Sequence, residues 1–227
     1  DPVKRLDTVV RALSRIAGDG GDAVLAIVGA FSSEAHRAGL RALAGELGVS
    51  DRVRFLGTPP LTEFEALLGC CDVVVNLRYP SRMQMSAVLL RALAAGAPVA
   101  ITDLPEWRFL PESACERIAA GPGEVESLAA FLLRMREEPA ERARRSESAS
   151  GSSRPPPRPR GSRRRSWSVA WVGPWRRGGS SRCDARRCEA RRRVATARDR
   201  SDPADRTDRA EQAEQAKRGG TLTSWVG

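Results

Sequence analysis

The stretch DVVVNLRYPSRMQMSAVLLRALAAGAPVAITD, residues 72 to 103, decides the fold because it reads as a strand, a loop, a helix and a second strand. An apolar run from Val73 to Val75 gives way to a polar loop. The next helix, from about Gln84 to Ala95, ends at Gly96, the residue type that best tolerates left-handed backbone after a helix. The following strand covers Val99 to Ile101. This order predicts one unit of a parallel α/β sheet.

The same alternation of apolar strands and amphipathic helices continues on both sides of this stretch. The other predicted helices are 6–17, 33–47, 61–69 and 125–136, with a short one from about residue 139, and the other predicted strands are 23–28, 53–56 and 117–119. In open sheets of this kind, ligands bind beyond the carboxyl ends of the strands. We therefore predict a Rossmann-like three-layer α/β domain with a parallel sheet over residues 1–145, and a ligand site at the loop from Leu77 to Ala87.

Four segments, in this order, resemble the C-terminal half of the glycosyl transferases group 1 family. They are PVKRLD at residues 2–7, LAIVG at 25–29, VRFLG at 53–57 and the stretch at 72–103. The family contains retaining enzymes of the GT-B fold, which have two Rossmann-like domains and use nucleotide-sugar donors. The resemblance implies that this chain is a fragment that binds the nucleoside-diphosphate sugar. A missing N-terminal domain would help to bind an unknown acceptor, and a complete protein would be a hexosyltransferase.

Seven residues are candidates for donor binding on this basis: Lys4, Arg5, Gly29, Arg78, Gln84, Ser86 and Ala87. Lys4 and Arg5 resemble the basic pair that neutralises the donor diphosphate, and a solvated N-terminal charge pair is the alternative. Gly29 would allow close approach of a ligand or simply suit a turn. Ser86 and Ala87 open a helix whose N–H groups could bind a phosphate, unless the serine only caps it. Arg78 could reach a phosphate or form a surface ion pair.

The chain departs from the family at two positions in the same stretch. Most members carry a Glu-x7-Glu pair there, whereas this chain has Gln84 in the loop and Arg91 where the second glutamate normally stands. A glutamine can hydrogen-bond a sugar hydroxyl, but it carries no charge to stabilise positive charge that develops on the donor. We therefore assign no catalytic residue, metal or cofactor, and expect this chain alone to be inactive. A catalytically inactive relic or nucleotide-binding module is the alternative function.

The overall net charge of +10 belongs to the end of the chain. Residues 1–150 hold 18 basic and 20 acidic residues, whereas residues 151–227 hold 20 basic and 8 acidic ones, a net charge of +12. High net charge with low hydrophobicity predicts a disordered tail over residues 146–227. Its scattered tryptophans and cysteines are typical of a slipped reading frame in GC-rich DNA. Nucleic-acid binding through this tail is a third, less favoured function, because no folded nucleic-acid module surrounds the arginines.

Other features of the sequence bear on location. The five cysteines form no disulfide or metal-binding pattern, which fits a reducing cytoplasm. No signal peptide is recognisable, and no apolar run approaches the ~18 residues that a membrane span needs. The sequence begins with Asp-Pro-Val-Lys and no Met, as a fragment would. We therefore expect a cytoplasmic protein without a transmembrane segment.

Overall fold

The computed structural model describes residues 2–18, 23–81, 86–151 and 169–174. The α-helices are α1 (Leu6–Gly18), α2 (Glu34–Glu46), α3 (Leu61–Cys70), α4 (Ala87–Ala94), α5 (Glu124–Glu137) and α6 (Pro139–Gly151). The strands are β1 (Ala23–Val28), β2 (Val53–Gly57), β3 (Val73–Asn76), β4 (Val99–Thr102), β5 (Cys115–Ile118) and β6 (Val169–Pro174). Short 3-10 helices cover Pro2–Lys4, Ser50–Arg52 and Pro105–Trp107.

The six strands form one sheet in the order β2-β1-β6-β3-β4-β5. The pairs β1–β2, β3–β4 and β4–β5 are parallel, which confirms the predicted α/β class. β6 lies between β1 and β3 and runs antiparallel to both. The sheet is therefore a parallel α/β sheet with one antiparallel strand at its centre.

Two hydrophobic cores, one on each face of the sheet, make the three predicted layers. Successive strand side chains point to opposite faces. Leu25 and Ile27 of β1 therefore join the core that contains α1, α2 and α5, whereas Ala26 and Val28 join the core that contains α3 and α4. The same alternation occurs in β3, so β1 and β3 both contribute side chains to both cores. Both faces are covered, which explains why these strands read as continuous apolar runs.

The end of the folded region differs from the expectation. Disorder was predicted from Ser146, but α6 continues to Gly151, and the Ser146 hydroxyl donates to the Gly96 carbonyl oxygen at 2.5 Å. β6 is a second element inside the predicted tail. The prediction missed this strand, although Val169 to Val172 is an apolar run, because the charged residues around it favour a disordered tail and its pairing partners are distant. The disorder predicted for residues 152–168 and 175–227 lies outside the described residues.

Candidate functional site

The carboxyl edge of the parallel strands carries the candidate site. Gly29 follows β1, and Arg78 lies two residues after the end of β3. The backbone N–H of Arg78 donates to the Thr102 hydroxyl at the end of β4, over 2.8 Å. The carboxyl ends of neighbouring strands are thus joined directly, as expected for a ligand crevice in an open α/β sheet.

The N-terminal turn is fixed to the same edge by its backbone. The 3-10 helix Pro2–Lys4 precedes α1, and the carbonyl oxygen of Val3 accepts a hydrogen bond from the Tyr79 N–H at 2.9 Å. Lys4 is therefore held next to the loop that follows β3. This contact brings together two segments that are 76 residues apart in the chain.

Lys4 and Arg78 form the electrostatic centre of the site. Burial, together with the positive charge of Arg78, lowers the pKa of the Lys4 ammonium group to about 8. Lys4 in turn contributes to a lowered pKa of His36 in α2, although burial of the imidazole is the largest cause. Positive charge from the N-terminal turn and the loop after β3 therefore converges at this edge of the sheet.

Arg5 has a different environment from Lys4. Its backbone is left-handed, with φ of 52°, and its side chain forms an ion pair with Glu124, the first residue of α5. Arg5 Nε lies 3.1 Å from one Glu124 carboxylate oxygen, and the Thr8 hydroxyl donates to that same oxygen at 3.2 Å. Hydrogen bonding to Glu124 is the main cause of a raised Arg5 pKa. This pair fixes the N-terminal turn against α5, so the geometry favours a positioning role for Arg5.

Glu124 and Thr102 were not among the residues predicted from the sequence. Both are buried, at 2% and 1% exposure. Glu124 comes directly after Gly123, in the first turn of a helix, where a carboxylate is electrostatically favourable. That position suggested a helix start but gave no hint of an arginine 119 residues earlier. Both contacts are long-range, and a single sequence carries no signal for them.

Gly29 makes the turn after β1. Its φ is 124°, in the region that side chains disfavour, and its N–H donates to the Gly57 carbonyl oxygen at 2.6 Å. Only glycine adopts this backbone conformation without strain. The turn therefore requires glycine for its geometry, and this requirement is compatible with close approach of a ligand. The role of Gly29 in donor binding stays a prediction.

Ser86 is the N-cap of α4, and Ala87 is the first residue of that helix. The Ser86 hydroxyl is fully buried and accepts a hydrogen bond from the Leu89 N–H at 3.3 Å. The Ser86 side chain therefore caps the helix, as in the alternative to phosphate binding. Ala87 is exposed at the helix N-terminus, where the first amide groups have no partner within the helix. Helix α4 begins three residues later than predicted, and Gln84 lies outside the described residues.

Arg91 occupies the position where the family normally has its second glutamate. Its guanidinium forms an ion pair with Glu65 of α3, with 2.6 Å between Nη1 and Oε1. The arginine therefore links two neighbouring helices, and its charge is compensated. At this position the arginine therefore has a structural role in helix packing.

The described ranges contain neither a metal-ligand cluster nor a membrane-spanning helix. Within residues 2–18, 23–81, 86–151 and 169–174, no three or more His, Cys, Asp or Glu side chains are grouped as metal ligands would be. None of the helices in these ranges is long and apolar enough to cross a membrane.

The burial of Cys115 raises the pKa of its thiol to about 11, so it is a poor nucleophile.

Comparison with known proteins agrees with this architecture. The family model "Glycosyl transferases group 1" matches residues 1–138. A 2-deoxystreptamine glucosyltransferase from Streptomyces kanamyceticus is 30% identical over 131 residues, which cover 58% of this chain and 33% of that enzyme. The chain thus spans about a third of the length of this curated relative.

Solved structures resemble the fold at 22% sequence identity. Sucrose-phosphate synthase from Thermosynechococcus elongatus has a TM-score of 0.56, with 66% of this chain and 37% of that chain covered. HepE from Anabaena, in complex with UDP, has a TM-score of 0.57, with 67% and 41% covered. WaaG, a glycosyltransferase involved in lipopolysaccharide biosynthesis, has a TM-score of 0.53, with 66% and 39% covered. From the family match over residues 1–138, together with this fold, we conclude that the chain belongs to the glycosyl transferases group 1 family.

Proposed function

We propose that this chain is the donor-binding half of a retaining glycosyltransferase and binds the diphosphate of a nucleoside-diphosphate sugar. The proposed crevice lies between the turn at Lys4, the turn at Gly29 and the segment from Arg78 to Ala87. The acceptor is unknown, and an N-terminal domain would supply its binding site. Family members use soluble nucleotide sugars, and a cytoplasmic location belongs to the same proposal.

The observation that carries this proposal is the convergence of Lys4 and Arg78. Burial is the main cause of the lowered Lys4 pKa, and the positive charge of Arg78, from a distant segment, lowers it further. A diphosphate would replace this repulsion with attraction to both groups. Arginine and lysine are the side chains most used for phosphate, one as a hydrogen-bonding fork and the other as a compact charge.

The backbone around this pair supports the same assignment. The N-terminus of α4 carries the positive end of the helix dipole, and the amide groups of Ala87 and Val88 are the ones a phosphate oxygen would meet. The Ser86 hydroxyl already accepts a hydrogen bond from the Leu89 amide, so its side chain caps the helix. The neighbouring amide groups of Ala87 and Val88 are the proposed ligand contacts. Gly29 offers a turn without a side chain at the end of β1.

Titration with nucleoside diphosphates tests this proposal. UDP is the first member of the panel because the similar HepE structure contains it. Isotope-labelled chain should show resonance shifts at the three loops in the millimolar range or below. Lys4→Ala should weaken binding by about 1–3 kcal/mol, the range for a hydrogen bond to a charged group.

Arg11→Ala is the matched control for Lys4→Ala. It removes one positive charge from the exposed face of α1, outside the proposed crevice. This variant should bind as the parent chain does. Equal losses in the two variants would indicate nonspecific attraction. Absence of shifts at all three loops with every nucleotide at millimolar concentration would contradict the proposed site.

A binding module without transferase activity is the second candidate. The Arg91–Glu65 ion pair favours it, because a compensated arginine stands where the family normally has an acidic residue. The two candidates differ in sugar dependence. An active half-enzyme, supplied with its N-terminal domain, should consume the donor sugar, whereas a binding module should bind nucleotides without turnover. Gln84→Glu should leave nucleotide binding unchanged and alter only discrimination between donor sugars.

A further inference from the structure

Arg117 is a largely buried arginine in β5, the strand at one edge of the sheet. Its side chain is 16% exposed, and its backbone lies opposite Ile101 of β4. Backbone carbonyl groups outside regular structure need hydrogen-bond donors, and this arginine supplies one to the segment after β4. Its Nη2 atom donates to the carbonyl oxygens of Leu110 at 2.8 Å, Arg108 at 3.3 Å and Trp107 at 3.4 Å. Arg117 therefore holds residues 105–110 in place.

The segment that Arg117 holds is in contact with the loop after β3. Trp107 and Leu110 are buried, at 6% and 7% exposure, and anchor the segment in the core. Glu106 lies in the 3-10 helix Pro105–Trp107, and its carboxylate accepts a hydrogen bond from the Ser81 hydroxyl. Ser81 belongs to the loop that follows β3, on one side of the proposed crevice. A hydrogen bond thus joins the segment after β4 to this loop.

The loop after β3 is also held through its backbone. The N–H of Arg78 donates to the Thr102 hydroxyl, and the N–H of Tyr79 donates to the Val3 carbonyl oxygen. The Ser81 hydrogen bond adds a side-chain contact shortly after these two positions. Because Arg78 is one of the proposed phosphate ligands, the position of this loop decides whether its guanidinium meets the diphosphate.

We propose that Arg117 is a positioning residue for nucleotide binding. It acts without touching the ligand: it holds residues 105–110, Glu106 of that segment holds Ser81, and the loop after β3 is kept in its binding conformation. A loop that is already ordered binds without the cost of ordering it, so Arg117 should increase nucleotide affinity. This effect on affinity rests on the proposed function, whereas the connection between Arg117 and the loop does not.

A purely structural role for Arg117 is the competing explanation. Its Nη1 atom pairs with Glu112 at 3.1 Å, but the Glu112 side chain is 89% exposed, and exposed ion pairs contribute little. The contacts with the backbone carbonyl groups therefore carry the proposed role. An arginine that only stabilised the domain would change the free energy of unfolding without changing the loop or the Kd for nucleotide.

Amide hydrogen exchange in the nucleotide-free full chain tests the connection to the loop. In Arg117→Ala, the amides of Arg78 and Tyr79 should exchange about tenfold faster or more, because the loop is released. The amide of Leu13, within α1, should keep its exchange rate. Unchanged exchange at Arg78 and Tyr79 would overturn the proposal, and so would an equal acceleration at Leu13.

Two variants are matched controls for Arg117→Ala. Glu112→Ala removes the ion pair but keeps the contacts of Arg117 with the carbonyl groups. Arg134→Ala removes a different arginine, which pairs with Glu116 of β5. Both should leave exchange of the loop amides within about twofold of the parent rate. An acceleration in either control equal to that in Arg117→Ala would contradict the specific role of Arg117.

Nucleotide affinity tests the consequence for binding. The Kd for UDP, measured by calorimetry, should rise about fivefold or more in Arg117→Ala, as expected for the loss of one hydrogen-bonded contact. Arg117→Lys returns a cation to the carbonyl groups and should recover part of this loss. Glu106→Ala and Ser81→Ala should each raise Kd. The double variant Arg117→Ala/Glu106→Ala should bind no worse than the weaker single variant, because both changes act through one contact.

The possible outcomes separate this inference from the proposed function. If Arg117→Ala loses its circular dichroism signal, Glu106→Ala and Ser81→Ala carry both measurements, because these half-buried positions lie outside the core. An unchanged Kd in the folded variants, or losses that add in the double variant, would overturn the inference. Faster loop exchange in a chain whose parent binds no nucleoside diphosphate would refute the proposed function and the effect on affinity with it, while the connection to the loop would stand.

Discussion

The titration of Lys4 should control nucleotide affinity above neutral pH. Its pKa is lowered from 10.5 to about 8, first by burial and then by the charge of Arg78. A lysine with a lowered pKa loses its positive charge as the pH rises through that pKa. The Lys4 contribution to the proposed diphosphate attraction is therefore present well below pH 8 and is lost as the pH rises through 8.

The expected size of the effect follows from this pKa. If only the protonated form binds, Kd grows with the fraction of neutral Lys4, so it should rise about 30-fold between pH 7 and pH 9.5. A lysine with an ordinary pKa would raise Kd by only about 10% over the same range. Nucleotide binding should also raise the Lys4 pKa, so complex formation near pH 8 should take up a fraction of a proton.

Isothermal titration calorimetry in two buffers of different ionisation enthalpy measures both quantities. Lys4→Arg is the matched variant, because it keeps the positive charge without titrating in this range. Any pH dependence that remains in Lys4→Arg comes from groups other than Lys4. A parent chain and Lys4→Arg with identical pH profiles would refute the assignment of the effect to Lys4.

Three further predictions concern stability, each measured by urea unfolding at pH 7. Glu124→Ala should lower the free energy of unfolding by about 3 kcal/mol, at the low end for a broken buried pair because Arg5 is 29% exposed. The control Glu126→Ala breaks an exposed pair with Arg15 and should cost less than about 0.5 kcal/mol, so similar losses would contradict the role given to Glu124. Gly29→Ala should cost about 1–3 kcal/mol because φ is 124°, while Gly39→Ala in α2, with open space around it, should be neutral or stabilising. Ser86→Ala should cost about 1 kcal/mol by removing the cap on Leu89 while leaving nucleotide affinity within threefold, and a larger loss of affinity would assign the hydroxyl to the ligand.

The sequence predicted the local elements well because each carries its own periodic signal. The predicted strand at residues 23–28 is confirmed at both ends, and the helix predicted from Leu6 to Ala17 ends one residue later. Glycine and apolar spacing are properties of neighbouring residues, so a single sequence contains them. Helix α4 begins later than predicted because Ser86 caps it, and the sequence alone did not separate a cap from a helix interior.

The long-range contacts could not be predicted in the same way. β6 acquires its structure from two strands that lie about 100 and 145 residues earlier, and its short apolar run lies between highly charged segments of the tail. The contact of Arg5 with Glu124 joins the turn before the first helix to the last helix of the matched region. For the site, the sequence brought Lys4 and Arg78 into one candidate set, and the structure adds their electrostatic coupling. Donor contacts by these residues stay a prediction.

The attachment of Val3 to Tyr79 also determines where additions to the protein would lie. An affinity tag or reporter joined ahead of Pro2 would emerge at the mouth of the proposed crevice, where it could obstruct ligands. β6 leaves the sheet in the opposite direction, because Pro174 pairs with Ala23 at the start of β1. The last described residue of the strand, Pro174, therefore lies at the edge of the sheet opposite the proposed crevice.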